Sequence, residues 1–284
     1  MVDGLQNKIA FVIQARMQSE RLPGKILMQI PLVNGKPLLQ WIVDELQKSS
    51  HEADIIVATS DKQENNVLEQ FCESQGLKCF RGDEEDVLSR FVAITKDNDY
   101  STLVRLTADN PILDIAVLDD TISYHIDNKN HYTNTTSLPV GMNFEVIASS
   151  AIIGLGQGQL STAAREHVTL DIKNNDQYKK MIYAPKTGNH LNNLRLTVDY
   201  PSDLLVVSTV LSFYDESDSR VGVTLVQDVY NELPFIFEVN ENNFQKKQFT
   251  NPEEEVTFAE DLLRGLDLEF SAGILKKYEK KDTI

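Results

Sequence analysis

The chain has 284 residues, and its 27 lysines and arginines face 43 aspartates and glutamates, so the formal net charge is −16. This length is sufficient for one large domain with an appendage, and the charge argues against nucleic acid and anionic membrane surfaces as partners. Small anionic ligands stay open, because they respond to local charge and not to the net charge.

The N-terminal segment MVDGLQNKIAFVIQ has an early acidic residue, a short apolar run and no small-residue cleavage site. We therefore expect neither a signal peptide nor a membrane anchor, and a cytoplasmic location. The two cysteines, Cys72 and Cys79, have neither a C-x-x-C spacing nor a histidine cluster beside them. This pattern indicates two buried free thiols of a reducing compartment and disfavours a disulfide or a metal site.

Hydrophobic runs alternate with amphipathic stretches from residue 8 to about residue 128. The predicted strands are KIAFVI (8–13), ADIIVATS (53–60), KCFRGD (78–83) and STLVRLTA (101–108), and the predicted helices cover 37–49, 64–76, 85–98 and 114–126. This alternation predicts a mostly parallel sheet with helices on both faces. In such sheets, ligands bind at the carboxyl ends of the strands.

The pattern changes after residue 130. The segment HYTNTTSLPVGMNFEVIASSAI contains a polar loop and an extended apolar strand, which we interpret as a small lid or inserted segment. Beyond it, TAAREHVTLDIKNN predicts a helical region, YKKMIYAPK a strand, and NLRLTVDYPSDLLVVSTVLSFY a strand, a turn and a helix. We expect one α/β domain over residues 1–239 and a helical C-terminal extension over residues 240–284, which either docks, forms an oligomer contact or frays.

A cationic loop follows the first predicted strand. In IQARMQSERLPGKIL (Ile13–Leu27), here called the cationic loop, Glu20 alone opposes Arg16, Arg21 and Lys25. The glycine before Lys25 lets the backbone approach a ligand closely. The loop is not a P-loop, because G-x-x-x-x-G-K-[ST] is absent. Two readings remain open on the spacing alone: a loop that neutralises a polyphosphate, and a solvated surface turn.

Two aspartates each follow a predicted strand. Asp109 lies in VRLTADNPILD, and Asp199 lies in LRLTVDYPSDLL before a helix that starts with proline. A carboxylate at this edge suits a hard cation such as Mg²⁺ bound to nucleotide phosphates, and the alternative is a helix cap or a turn. Two such aspartates together with the cationic loop favour a site for nucleotidyl transfer.

Three further polar residues are weaker candidates. Glu145 alternates with apolar neighbours in NFEVIAS, so it lies on the solvent face of a strand or faces a substrate. Glu166 and His167 are consecutive in REHVT, which is typical of a surface ion pair on a helix. Their assignment to a site depends on the fold.

The order of the blocks resembles the cytidylyltransferases of acidic sugars. The similar blocks are QARMQSERLPGKIL, GKPLLQWIVDEL, DIIVATSD, EEDVLSRF, RLTADNPILD, REHVT and LRLTVDYPSDL. The resemblance is strongest to the SpsF-type spore-coat polysaccharide proteins and weaker to the enzymes that activate 3-deoxy-manno-octulosonate and acylneuraminate. It covers residues 8 to about 215 and leaves the C-terminal extension uncovered.

This resemblance implies a GT-A-like, Rossmann-type fold and an enzyme that uses CTP and Mg²⁺ to make a CMP-linked sugar in polysaccharide or glycan biosynthesis, with release of pyrophosphate. It also implies roles for individual residues. These are catalysis for Arg16, Arg21 and Lys25; nucleotide binding for Ala15, Arg16, Ser19, Arg21, Lys25 and Asp109; metal binding for Asp109 and Asp199; and substrate binding for Glu145, Glu166 and His167.

Alternatives stay open beside this reading. The same residues suit another nucleoside triphosphate, or a phosphorylated or phosphonate acceptor that is not a sugar. A non-catalytic nucleotide-binding subunit of a glycan pathway is a further alternative, although the retained aspartates and cations speak against it. The segment HYTNTTSLPVGMNFEV does not reproduce the substrate-binding blocks of the sugar-acid enzymes, so the acceptor is open. A homodimer is compatible with the C-terminal extension.

Overall fold

The computed structural model describes residues 7–186, 189–215, 222–244 and 252–279 of the chain. Two compact units are present, Met1–Asn242 and Asn243–Ile284. None of the helices in the described ranges combines the length and the apolar character needed to cross a membrane.

The first unit is built on a seven-stranded sheet and a two-stranded ribbon. The strands are β1 (Ile9–Gln14), β2 (Gln29–Ile30), β3 (Lys36–Pro37), β4 (Ala53–Ser60), β5 (Lys78–Gly82), β6 (Thr102–Thr107), β7 (Tyr132–Thr135), β8 (Glu145–Ala148) and β9 (Lys180–Tyr183). The large sheet has the order β5-β4-β1-β6-β8-β7-β9, and β2 pairs with β3. Strand β8 is antiparallel to both of its neighbours, and the other pairs of the large sheet are parallel.

Helices cover both faces of this sheet, as the alternating pattern predicts. They are α1 (Leu38–Leu46), α2 (Asn66–Ser74), α3 (Val87–Asn98), α4 (Ile115–Asp127), α5 (Ser149–Gln157), α6 (Thr162–Glu166), α7 (Leu170–Asn174), α8 (Pro201–Ser212) and α9 (Val223–Glu232). One core lies between the sheet and residues of α1, α2, α4, α8 and α9, and the other lies between the opposite face and residues of α3, α5 and α7. The prediction of a mostly parallel sheet between two helical layers is confirmed.

The central strand β1 explains why the site lies where it does. Its side chains alternate between the two cores, with Phe11 and Ile13 on one face and Ala10 and Val12 on the other. Because both faces are buried, the strand reads as a continuous apolar run. It pairs in parallel with β4 and β6, so three carboxyl ends meet at one edge of the sheet.

The prediction of a strand before Asp199 is wrong. Arg195 makes one isolated bridge to Val140, and the segment is otherwise not a strand. The physical reason is that its backbone pairs with two loops. The Val140 N–H donates to the Leu194 carbonyl and the Leu196 N–H donates to the Val140 carbonyl, while the Val198 N–H donates to the Asp109 carbonyl at 2.9 Å. This last bond connects the two aspartates through the main chain.

The two cysteines differ in burial. Cys72 is fully buried, as predicted, whereas Cys79 is only half-buried, so the prediction of two buried thiols is wrong for Cys79. The difference arises because Cys79 lies on β5, the edge strand of the sheet. Both thiols are free.

The second unit is a pair of helices, α10 (Pro252–Gly265) and α11 (Glu269–Glu279). A short turn joins them, in which Asp267 has a positive φ of 58° and the Leu268 N–H donates to the Leu263 carbonyl. Arg264 binds Glu260 within α10 and also Glu269 at the start of α11. Between residues 252 and 279, the C-terminal extension is therefore helical apart from this turn, as predicted from its pattern.

Candidate active site

The cationic loop starts where β1 ends. The N–H of Ala15, a buried residue, donates to the Ala58 carbonyl at the end of β4. The loop then turns back on itself, because the Gly24 N–H donates to the Met17 carbonyl at 3.0 Å. Gly24 has φ 72°, a conformation that costs glycine little and other residues more. This turn aims the next residue, Lys25, back toward the edge of the sheet.

Lys25 lies between the two predicted metal ligands. Its Nζ donates to Oδ2 of Asp109 and to Oδ1 of Asp199, in both cases at 2.9 Å. The residue is 7% exposed, so this ammonium is almost fully removed from water. The structure thus brings one cation of the loop and both aspartates into a single cluster, although they are 84 and 174 positions apart from Lys25 in the sequence.

A second buried cation holds Asp199 from the other side. Arg195 donates to Oδ2 of Asp199 at 2.9 Å and, through Nε, to Oδ1 of Asp203 at 3.0 Å. Asp203 is fully buried near the start of α8, where its Oδ2 also accepts the N–H groups of Asp199 and Tyr200. Asn240 completes the network by donating to Asp203 and to the Arg195 carbonyl. The carboxylate of Asp199 is therefore oriented by a rigid network.

Arg21, which is exposed, contacts the same cluster from the solvent side. Its Nη2 is 3.4 Å from Oδ2 of Asp199, and its guanidinium lies over the ring of Tyr200, 4.5 Å from the centroid. Burial alone would raise the pKa of Asp199, but Lys25, Arg21 and Arg195 more than offset it and hold that pKa below its ordinary value. Asp199 is thus kept as an anion that is available to bind a cation.

The donor set of this cluster fits a magnesium ion. Asp109 and Asp199 supply hard carboxylate oxygens, and Mg²⁺ in nucleotide sites is held by one or two carboxylates together with substrate phosphates. Within residues 7–186, 189–215, 222–244 and 252–279, no group of three or more His, Cys, Asp and Glu side chains forms a fuller metal site. Two carboxylates are the number expected when substrate oxygens complete the coordination.

Arg16 and Ser19 lie elsewhere along the loop. Arg16 is exposed and Ser19 half-buried. Arg16 lies near a buried arginine, Arg90, whose guanidinium donates to the carbonyls of Asp83 and Glu84. Burial lowers the pKa of Arg90, and the positive charge of Arg16 lowers it further. The negative charges of Asp83 and Glu84 act in the opposite direction and offset only part of this decrease. Sequence reasoning missed Arg90, because on a helical pattern it resembles an ordinary surface charge.

Glu145 belongs to another cluster, on β8. Its carboxylate accepts from Arg105 at 2.7 Å, from Lys173 at 2.6 Å and from the Tyr132 hydroxyl at 2.6 Å. Thr169 donates to it as well. Burial alone would raise the pKa of Glu145, but Arg105 and Lys173 lower it to about 2. The substrate-binding role of Glu145 stays a prediction, because these internal partners satisfy its carboxylate, and the partners themselves were missed from sequence.

We expect the replacement Glu145→Gln to destabilise the protein in a pH-dependent way. Because the folded-state pKa lies below the ordinary value of 4.5, the stabilisation is fully present above that pH and is lost as the pH falls toward 2. The free energy of unfolding in urea should drop by about 3 kcal/mol at pH 7, and the difference from wild type should shrink below pH 4.5. Glu232→Gln, on an exposed site, should show no such trend. A constant difference across this pH range would contradict the assignment.

Glu166 and His167 lie at the end of α6. Glu166 is exposed, and the Nε2 of His167 lies 3.8 Å from its carboxylate, which is beyond hydrogen-bond distance. The preceding Arg165 donates to Asp86 at 2.6 Å, at the start of α3. The substrate-binding role of Glu166 and His167 therefore stays a prediction.

Sequence comparison identifies relatives over most of the chain. The sequence model of the family described as Cytidylyltransferase matches residues 10–251. The spore coat polysaccharide biosynthesis protein SpsF of Bacillus subtilis is 36% identical over 224 residues, which cover 77% of this chain and 91% of that protein. The similarity therefore extends far beyond the cationic loop.

Solved structures share the fold. A cytidylyltransferase from Leptospira borgpetersenii superposes with a TM-score of 0.75 at 24% identity, covering 84% of this chain and 99% of that one. The structure of CMP:2-keto-3-deoxy-manno-octonic acid synthetase complexed with CTP has a TM-score of 0.54 at 17% identity, covering 72% and 98% of the two chains. At these identities, the superpositions establish the architecture alone.

Proposed function

Because this chain belongs to the cytidylyltransferase family, we propose that it transfers CMP from CTP to a sugar or sugar-acid acceptor with release of pyrophosphate, at the cluster of Lys25, Asp109 and Asp199. The observation that carries this assignment is the placement of Lys25 within 2.9 Å of both aspartates at the carboxyl edge of the sheet. Ligands bind at this edge in open α/β sheets.

The cations of the loop act on the triphosphate. Arg16 and Arg21 are both exposed to solvent, so both would be accessible to phosphate oxygens, and Ala15 and Ser19 belong to the same loop and would lie beside the nucleotide. Lys25 neutralises the charge that develops on the α-phosphate and the leaving pyrophosphate. Pre-organised donors of this kind each contribute on the order of 10²–10³ in rate.

The reaction is an in-line displacement at the α-phosphorus. An acceptor oxygen forms the new P–O bond, and the bond from the α-phosphorus to the bridging oxygen breaks, so that pyrophosphate leaves with both bonding electrons. The acceptor hydroxyl loses its proton to solvent. Mg²⁺ held by Asp109 and Asp199 would supply positive charge to the phosphate oxygens when bound. Positioning and electrostatics account for the rest of the catalysis.

The acceptor class is inferred from the relatives. One of them is named for spore-coat polysaccharide biosynthesis, and another makes a CMP-linked keto-deoxy sugar acid.

A panel of the four ribonucleoside triphosphates tests the choice of donor. With Mg²⁺ present, we expect CTP to raise the melting temperature most. At a concentration one hundred times its dissociation constant, a ligand stabilises the folded state by about 2.7 kcal/mol. Equal shifts with all four nucleotides would remove the assignment to CTP, and binding of CTP without any pyrophosphate release would favour the non-catalytic subunit.

A further inference from the structure

Lys25 bridges the two carboxylates that would hold a divalent cation. Its Nζ is equally distant, at 2.9 Å, from Asp109 Oδ2 and Asp199 Oδ1. The other oxygen of Asp199 accepts from Arg195 at 2.9 Å and lies 3.4 Å from Arg21. Both oxygens of Asp199 therefore already have cationic partners in this conformation.

The cluster is balanced in charge before any metal arrives. Three cations, Lys25, Arg21 and Arg195, face three carboxylates. The carboxylates are those of Asp109, Asp199 and Asp203. Adding a divalent ion to this balanced, mostly buried group would leave two uncompensated charges, which is unfavourable in a medium of low dielectric constant. Departure of one resident cation would halve this excess of charge.

Lys25 is the cation that stands between both aspartates, so a metal held by this pair would take its position. Arg195 is only 6% exposed, and Asp203 accepts from two of its nitrogens. Lys25 has a single flexible stem ending in a compact ammonium, and that stem starts from the turn at Gly24. After leaving the aspartates, the Lys25 ammonium needs another anionic partner beside the loop. The triphosphate of the nucleotide in the proposed function is such an anion.

We propose that Lys25 is an exchangeable counter-ion, which neutralises Asp109 and Asp199 in the free protein and moves onto the nucleotide phosphates when a divalent cation takes its place. This inference rests on the proposed function. It implies that metal and nucleotide bind cooperatively. Each binds weakly alone, and when both bind, Lys25 moves from the two aspartates to the nucleotide phosphates. Coupling of this kind is reciprocal and typically amounts to about 5- to 150-fold in affinity.

Mn²⁺ alone, without nucleotide, tests the exchange. Electron paramagnetic resonance measures the free Mn²⁺ while the full chain is titrated. We expect wild type to bind with a dissociation constant weaker than about 1 mM, which corresponds to about −4 kcal/mol. Lys25→Met should bind at least about tenfold more tightly. The matched control Lys96→Met removes an exposed lysine of α3, and its affinity should stay within about twofold of wild type because solvent screens that charge.

Two outcomes of the Mn²⁺ titration would contradict the proposed exchange of Lys25. Equal affinities of wild type and Lys25→Met, or weaker binding by the variant, would overturn the exchange. So would wild-type binding tighter than about 10 µM. Circular dichroism confirms folding of each variant, and Lys25→Gln replaces Lys25→Met if the latter does not fold. A wild-type protein that turns over CTP normally while these affinities are equal would refute the exchange alone, whereas absent CTP turnover would refute the proposed function.

Discussion

Replacement of Lys25 or Asp109 with alanine should each lower the rate of pyrophosphate release from CTP by about 10²- to 10³-fold. Lys25 is the buried cation between the two aspartates, and Asp109 is one of the two carboxylates that would hold a metal. Both side chains act in the transition state, where charge shifts onto the leaving pyrophosphate. The loss should therefore appear mainly in kcat.

The matched controls are exposed residues of the same chemical types. Lys96→Ala and Asp120→Ala change charges on the surfaces of α3 and α4 and should retain wild-type turnover. The measurement is a coupled pyrophosphate assay at saturating CTP with a sugar acid that wild type accepts, and melting temperatures are compared in parallel. Near-normal turnover by both site variants would rule out this cluster as the active site.

The second large effect concerns stability. Replacement of Asp203 with alanine should lower the free energy of unfolding by about 3–5 kcal/mol, the range typical for breaking a buried ion pair from one side. Asp203 is fully buried and satisfies Arg195, Asn240 and the N–H groups that precede α8. Without it, the Arg195 guanidinium keeps only part of its compensation, and two backbone donors lose their acceptor.

Urea denaturation measures this loss, and Asp203→Asn serves as the comparison. Asparagine keeps the shape and one acceptor oxygen, so its loss should be smaller than that of alanine. Because Asp203 also orients Asp199 through Arg195, both variants should lose activity more than their stability alone explains. A change of less than about 1 kcal/mol in Asp203→Ala would show that the network does not stabilise the fold.

The convergence of the cationic loop with the two aspartates was predictable from sequence. Parallel strands place their carboxyl ends along one edge, so residues that directly follow such strands meet there. The pattern around Asp109 satisfies this condition, because it follows β6. Asp199 meets the same edge by another route, since the segment before it pairs with loops and not with a strand. An extended segment with alternating apolar residues has the same sequence pattern whether it pairs with a strand or with loops.

The partners of the site residues were not predictable in the same way. Arg195 occurs in NLRLTV, where an arginine between apolar residues is typical of the solvent face of a strand, yet it is buried against Asp203. Likewise, nothing near Glu145 in the sequence points to Lys173 or Arg105, because the three meet only through sheet pairing and the packing of α7. Buried ion pairs depend on long-range contacts, for which a single sequence carries no local signal.

The measurement that tests the central claim most directly is phosphorus NMR of the wild-type protein with CTP, Mg²⁺ and an acidic sugar such as 3-deoxy-manno-octulosonate. We expect the triphosphate signals to be replaced by one phosphodiester signal, from the CMP-linked sugar, and by pyrophosphate in equal amount, with Lys25→Ala and Asp109→Ala showing neither on the same time scale. Persistence of the CTP signals with every sugar and sugar acid supplied, or a diphosphate linkage formed with a phosphorylated acceptor, would contradict the proposed transfer.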